Sequence, residues 1–159
     1  MKAIIVGCGR VGATLARMFA ESGAEVTIID LTSDAFRRLG TKFRGTRLVG
    51  TGTDISVLKR AGIEGADVFV AVTDGDNRNL MATQIAKTVF DIPLVMTRVY
   101  DPARAAAYRE MGIHTLCTTS IAANLMFDLA GGKAVENLIS ELQTVRSGQK
   151  PVEPTATGA

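Results

Sequence analysis

Gly7-Cys8-Gly9-Arg10-Val11-Gly12 follows directly on the apolar stretch Ala3-Ile4-Ile5-Val6. The G-x-G-x-x-G pattern does its chemistry with backbone rather than side chains. Gly7 allows a tight turn out of a strand, Gly9 lets the main chain approach a diphosphate, and Gly12 lets a helix pack close to a sheet. The open N–H groups and positive dipole end of that helix then face an anion. A second apolar run, Glu25 to Ile29, ends in Asp30, 18 residues past the third glycine. Its carboxylate can accept hydrogen bonds from a ribose diol and would repel a 2′-phosphate, so NADP is disfavoured. The pattern alone is weak in a chain with 16 glycines; the strand, helix, second strand and acid around it give it weight. The competing reading is a glycine-tightened turn with an empty pocket.

Further candidates follow from where a parallel sheet binds its ligand, at the carboxyl ends of its strands where the strand order reverses. The first strand presents the glycine loop with Cys8, Arg10 and Val11. The second presents Asp30 and Leu31, and the third Gly50-Thr51-Gly52-Thr53, small residues that would let an adenine lie against backbone. The fourth presents Thr73 and Asp74, and the fifth Arg98. Arg10 and Arg98 are two cations aimed from different strands at the expected phosphate region, and a guanidinium holds phosphate oxygens bidentately. Arg10 opposes the dipole of its own helix, which an anion would relieve; the alternative is a solvated first-turn side chain. Asp76 and Asn79 read at least as readily as caps as they do as ligand contacts.

Catalytic machinery is not visible. There is no Ser/His/Asp set, no Tyr-x-x-x-Lys and no P-loop lysine, so the chain reads as a binder rather than an enzyme. A single histidine, His114, cannot build a His-based metal site. Cys8 and Cys117 lack C-x-x-C spacing and read as packed, reduced thiols.

The elements that must position these residues alternate strand and helix six times, the signature of a parallel sheet wound on both faces. Strands are expected at 2–6, 25–30, 47–49, 67–72, 94–99 and 114–118. Helices are expected from Arg10 to Ser22 (with Val11, Leu15, Met18 and Phe19 on one face), a short one from Thr32 or Ser33 through Phe36 and Leu39, and one from Thr53 or Asp54 to Gly62. Two more run from near Asp76 through Val89 and from an Asp101 cap with Pro102 to Gly112. The expected fold is a Rossmann-like, doubly wound, six-stranded parallel α/β sheet over residues 1–130 with a C-terminal helical extension. Residues 131–146 read as an amphipathic helix with Val135, Leu138, Ile139, Leu142 and Val145 on one stripe. Residues 147–159 have little to bury and are expected to be disordered.

The chain has 159 residues, 47% hydrophobic but 5% aromatic with no Trp, which predicts an aliphatic core. A net charge of +2 with scattered Lys and Arg argues against a nucleic-acid interface. No apolar run is long enough to span a membrane, and no signal peptide is visible, so a cytoplasmic location is expected.

Beyond the glycine motif, V-L-K-R-A-G-I-E-G-A-D-V-F-V-A-V-T-D-G-D-N-R-N-L and R-V-Y-D-P-A-R-A-A-A-Y-R-E-M-G-I, with the Thr-Thr-Ser stretch after it, carry a more specific signal. From Met1 to about Leu125 the chain resembles the N-terminal nucleotide-binding (RCK, TrkA-N) domain of Trk/Ktr potassium-uptake regulators. The resemblance implies a cytoplasmic subunit, peripheral to the inner face of the membrane, that binds NAD(H), ATP, ADP or AMP. It would gate a membrane K+ transporter subunit and assemble as a homodimer or larger ring. It places Gly7, Gly9 and Gly12 along the phosphates, Asp30 at the ribose, Arg10 and Arg98 at phosphate charge, and Thr51 and Thr73 beside the base and central cleft. Thr51 departs from the family, which often has an acid there, and the family usually continues into a second domain; the chain reads as a shortened or a stand-alone form. A small NAD-dependent oxidoreductase and a nucleotide sensor for another channel or antiporter are the alternatives.

Overall fold

Six strands pair all-parallel in the order β3-β2-β1-β4-β5-β6 in a computed structural model that describes residues 1–132. They are β1 (Lys2–Val6), β2 (Glu25–Asp30), β3 (Thr46–Val49), β4 (Val68–Ala71), β5 (Leu94–Val99) and β6 (His114–Cys117). β1 lies between β2 and β4, with Val6 opposite Ile29 on one side and Ala71 on the other. The strand order therefore turns at β1.

Alternating residues of the central strands feed two cores, as a sheet covered on both faces requires. Ile4, Val6, Ile29, Phe69 and Ala71 face one layer with Leu58, Ala82 and Ala86. Ala3, Ile5, Ile28, Val68 and Val70 face the other with Ala13, Ala16 and Leu39. The first layer is supplied by α2 (Ile55–Arg60) and α3 (Asp76–Thr88), the second by α1 (Arg10–Glu21). α4 (Pro102–Glu110) contributes Ala105 to a smaller cluster with Leu80, Val99 and Cys117.

α1 buries Gly12, Ala13 and Ala16, not the large apolar stripe expected of it. Val11 and Met18 are each 46% exposed, while Leu15 and Phe19 pack at the flanks. The cause is distance: a helix this close to the sheet has room only for small residues on its inner face. The short helix after β2 is 3-10 over Ser33–Leu39 and ends at Gly40, whose φ is +72°. α2 and α4 start as expected. Asp54 caps the first by accepting the Ser56 amide at 2.7 Å, and Asp101 caps the second by accepting the Ala103 amide at 2.9 Å. Hydrogen bonding to Ser56 holds the Asp54 carboxyl below its usual range.

Contacts divide the chain into a unit of Met1–Thr119 and a second unit that begins at Ser120. α5 (Thr118–Ala130) buries none of its residues. The expected helix over 131–146 falls outside the described residues save for its first two glycines, and the tail over 147–159 does so entirely. Among the described residues no helix is long and apolar enough to cross a membrane.

Candidate functional site

The carboxyl ends of β1, β2, β3, β4 and β5 open into one cavity of about 610 Å³, a size typical of small-ligand sites. It lies over the point where the strand order turns. Gly7, Cys8, Gly9, Arg10, Val11, Asp30, Leu31, Thr51, Thr73, Asp74 and Arg98 all line it. Gly12 does not line it, nor do Asp76 and Asn79, the two residues that also read as caps.

The three glycines have three different reasons. Gly7 has φ +101°, and a Cβ there would stand 2.8 Å from the Thr73 amide nitrogen. A Cβ at Gly12 would stand 1.8 Å from the Gly7 carbonyl oxygen. The fold itself therefore demands glycine at both. Gly9 has φ −74°, a value any residue adopts, and a Cβ there would meet nothing within 4 Å. Among the described residues no atom calls for glycine at position 9, and the space a Cβ would take is open. Gly9 also begins α1 without a side-chain cap, and the first turn carries no acid. Its leading amides are left for a ligand or water.

Asp30 is bound into the loop it faces. Its Oδ2 accepts the Cys8 amide at 2.7 Å, and its Oδ1 accepts the Thr32 amide at 3.1 Å. The Gly7 amide donates to the Ile29 carbonyl at 2.8 Å, so two bonds hold the glycine turn against the end of β2. The Cys8 side chain is fully buried, its thiol donating to the Ala35 carbonyl at 3.3 Å. Burial, and then the Asp30 charge, push that thiol's pKa up. Cys8 thus serves the cavity through its main chain.

The loop after β3 puts Gly50, Thr51, Gly52 and Thr53 on the cavity wall. A Cβ at Gly50 would stand 2.7 Å from a Val57 methyl, and one at Gly52 would stand 2.6 Å from a Val6 methyl. These two are small because they pack on side chains beneath them. Thr51 and Thr53 remain on the cavity wall, their hydroxyls 2.9 Å apart.

Across the turn of the sheet, a buried amide holds the ends of β4 and β5 together. Asn79, fully buried, accepts the Thr73 amide at 2.8 Å and the Thr73 hydroxyl at 2.7 Å through Oδ1. Its Nδ2 donates to the carbonyls of Thr73 and Arg98, both at 3.0 Å. Asp76 accepts the Tyr100 amide at 3.0 Å and the Asp101 amide at 3.2 Å. Neither residue caps α3, whose N-cap is Gly75, and neither lines the cavity; both fix the loops that do.

Arg98 donates to the Thr73 carbonyl at 2.6 Å and stacks on Tyr100 with its guanidinium carbon 4.6 Å from the ring centre. Its Nε is buried without a hydrogen-bond partner among the described residues. Arg10 is exposed and has no side-chain partner there. Arg38, Arg78 and Tyr100 also line the cavity and were not expected from sequence. Arg78 pairs with Asp74 one helical turn before it, a spacing that could have signalled it. Four guanidiniums thus face two carboxylates, Asp30 and Asp74, a balance that suits a ligand with several negative charges.

The family described as the TrkA-N domain matches residues 3–119. This chain belongs to the TrkA-N domain family. The TrkA-N match spans every residue that lines the cavity. The Trk system potassium uptake protein TrkA of Streptomyces coelicolor is 44% identical over 126 residues, which are 79% of this chain and 56% of that protein. The chain therefore spans little more than half of that relative's length. Among solved structures, the Kef CTD of Shewanella denitrificans in its AMP-bound form superposes with a TM-score of 0.69 and 20% identity, over 93% of this chain and 92% of that one. GsuK bound to ADP and the GsuK channel bound to NAD each give 0.68 with 19% identity over 80% of this chain. They are covered to 33% and 23% of their own lengths. At these identities the likeness is one of TrkA-N fold.

Proposed function

We propose that this TrkA-N domain is the nucleotide-binding part of a regulatory subunit that controls K+ transport through a membrane Trk/Ktr-type transporter. The observation that carries the reading is Gly9: no atom of the described residues within 4 Å of where a Cβ would stand, at an uncapped helix start, in a cavity rich in guanidiniums. NAD(H) or an adenine nucleotide (ATP, ADP or AMP) fits that chemistry. The first-turn amides of α1 with Arg10 and Arg98 would hold phosphate oxygens, and Asp30 has oxygen lone pairs left for a ribose hydroxyl. Leu31, Val11, Thr51 and Thr73 would form the walls. The Streptomyces relative is named a potassium uptake protein, and the GsuK and Kef structures are named with NAD, ADP and AMP; these names support both halves of the proposal.

A bound nucleotide supplies negative charge and an aromatic face, and the chain's own residues turn that into a change of state. Regulation requires two ligand states to differ by a coupling energy of about 1–3 kcal/mol. One charge-assisted phosphate contact made in only one state supplies about 1.5–3 kcal/mol. The proposed role is binding and coupling without turnover, at the cytoplasmic face, in a homodimer or larger ring held there by the transporter subunit.

Isothermal titration with AMP, ADP, ATP, NAD and NADH tests the ligand half. Wild-type protein should bind at least one of them, and Arg10→Ala should weaken that binding about tenfold. No heat and no shift in thermal melting at millimolar nucleotide would sink the reading. Co-purification with the membrane K+ transport subunit encoded in the same genome tests the other half.

A further inference from the structure

The cavity is not symmetric about the glycine loop. Asp30 and Thr51 stand at the ends of β2 and β3. Asp74, Arg78, Arg98 and Tyr100 stand at or just beyond the ends of β4 and β5. With strands about 4.8 Å apart, β2 and β5 are separated by about 14 Å. On the reading above, with a ribose at Asp30 and the first phosphate at the loop, the β4–β5 end meets only what a ligand carries beyond that phosphate. That part differs in charge: further anionic phosphate in a triphosphate, a second ribose with neutral hydroxyls in a dinucleotide.

The two arginines at this end are held very differently. Arg98 is fixed by the Thr73 carbonyl and the Tyr100 ring. Arg78 is held by Asp74 in a pair whose side chains are 50% and 87% exposed, and pairs so exposed are weak and readily exchanged. The Arg78 guanidinium lies against Gly75, where a Cβ would stand 3.1 Å from its Nε. The bare N-cap leaves room for the side chain to swing. Asp74, on the same wall, opposes any uncompensated anion and accepts from a hydroxyl.

We propose that Asp74 and Arg78 form an exchangeable pair that reads ligand charge at the β4–β5 end of the cavity: Arg78 leaves Asp74 for the terminal phosphate of a nucleoside triphosphate and stays with it when a dinucleotide is bound. The inference rests on the nucleotide-binding reading and assigns the pair the choice between ligand classes. Charge-assisted contacts to phosphate are stronger than an exposed carboxylate pair, which gives the exchange its direction.

The test is titration calorimetry of the whole chain with AMP, ATP and NAD, on wild type, Arg78→Gln and Asp74→Asn. Both side chains are exposed, and ligand-free melting curves check that the variants fold. Arg78→Gln should lower the ATP-to-AMP affinity ratio about tenfold while AMP binding holds. Asp74→Asn should raise the ATP-to-NAD ratio, because it removes the competing carboxylate. An ATP-to-AMP ratio unmoved by Arg78→Gln, or wild-type binding of ATP no tighter than AMP, overturns the proposal and leaves nucleotide binding standing. Failure of wild type to bind AMP, ATP and NAD alike overturns the reading beneath it.

Discussion

The carboxylate of Asp30 accepts the amide of Cys8 at 2.7 Å, which fastens the end of β2 to the turn after β1. Asp30 thus has a task toward its own fold beside the one proposed for it toward a ribose. Asp30→Ala should therefore destabilise the ligand-free chain as well as weaken nucleotide binding. Leaving the part-buried Cys8 amide without its acceptor costs about 1–3 kcal/mol, readable as a lower urea midpoint. Asp30→Asn keeps one oxygen for an amide and should lose less stability. A ligand-free Asp30→Ala chain as stable as wild type would leave only the binding task.

Gly9 and Gly12 separate by the same logic. Gly12→Ala forces a methyl to within 1.8 Å of the Gly7 carbonyl oxygen, so the variant should fail to fold or melt far below wild type. Gly9→Ala meets no atom and should cost at most about 1 kcal/mol, from its poorer capping. It should nonetheless lose nucleotide affinity, since a methyl then occupies the line of approach. Thermal melts with and without nucleotide read both effects.

Asn79→Ala removes an amide whose oxygen accepts from Thr73 twice and whose nitrogen serves two carbonyls. The loss should be about 3 kcal/mol or more, because buried partners are left unpaired. Chemical denaturation measures it, and a cost below about 1 kcal/mol would show that water replaces the amide.

The raised pKa of Cys8 gives a dependence on alkaline pH. The folded thiol keeps its proton above the ordinary value of 9.0, mainly through burial and then through Asp30. Its contribution to stability is whole below that value and is lost as pH rises from there through the folded pKa, because the unfolded thiol ionises first. Denaturation midpoints of wild type should fall more steeply than those of Cys8→Ala between about pH 8 and about pH 10. Parallel curves would rule Cys8 out as the cause.

The sheet was legible because each strand announces itself by an apolar run and a turn residue, and six such runs admit few arrangements. The resemblance carried the family, and the glycine loop placed the cavity. Side-chain burial was harder to read. Hydrophobic periodicity put Val11 and Met18 inward, but only small residues fit where α1 meets the sheet. At Gly50 and Gly52 the fold adds a demand of its own, from the Val57 and Val6 side chains beneath them. Asn79 could be weighed as a cap or a contact. Its bonds to Thr73 and Arg98, up to 19 residues away, depend on β4 and β5 lying side by side. Arg38 carries no motif, and Arg78 shows only its four-residue spacing from Asp74; the folded chain brings both to the cavity.

The unequal demands on the three glycines also leave a trace that selection can act on. If the proposed nucleotide binding were given up, position 9 is the one of the three glycines that would be released, while positions 7 and 12 stayed locked by the chain's own atoms. A serine or alanine at that one place, with its neighbours intact, would mark a lineage whose sheet has outlived its cargo.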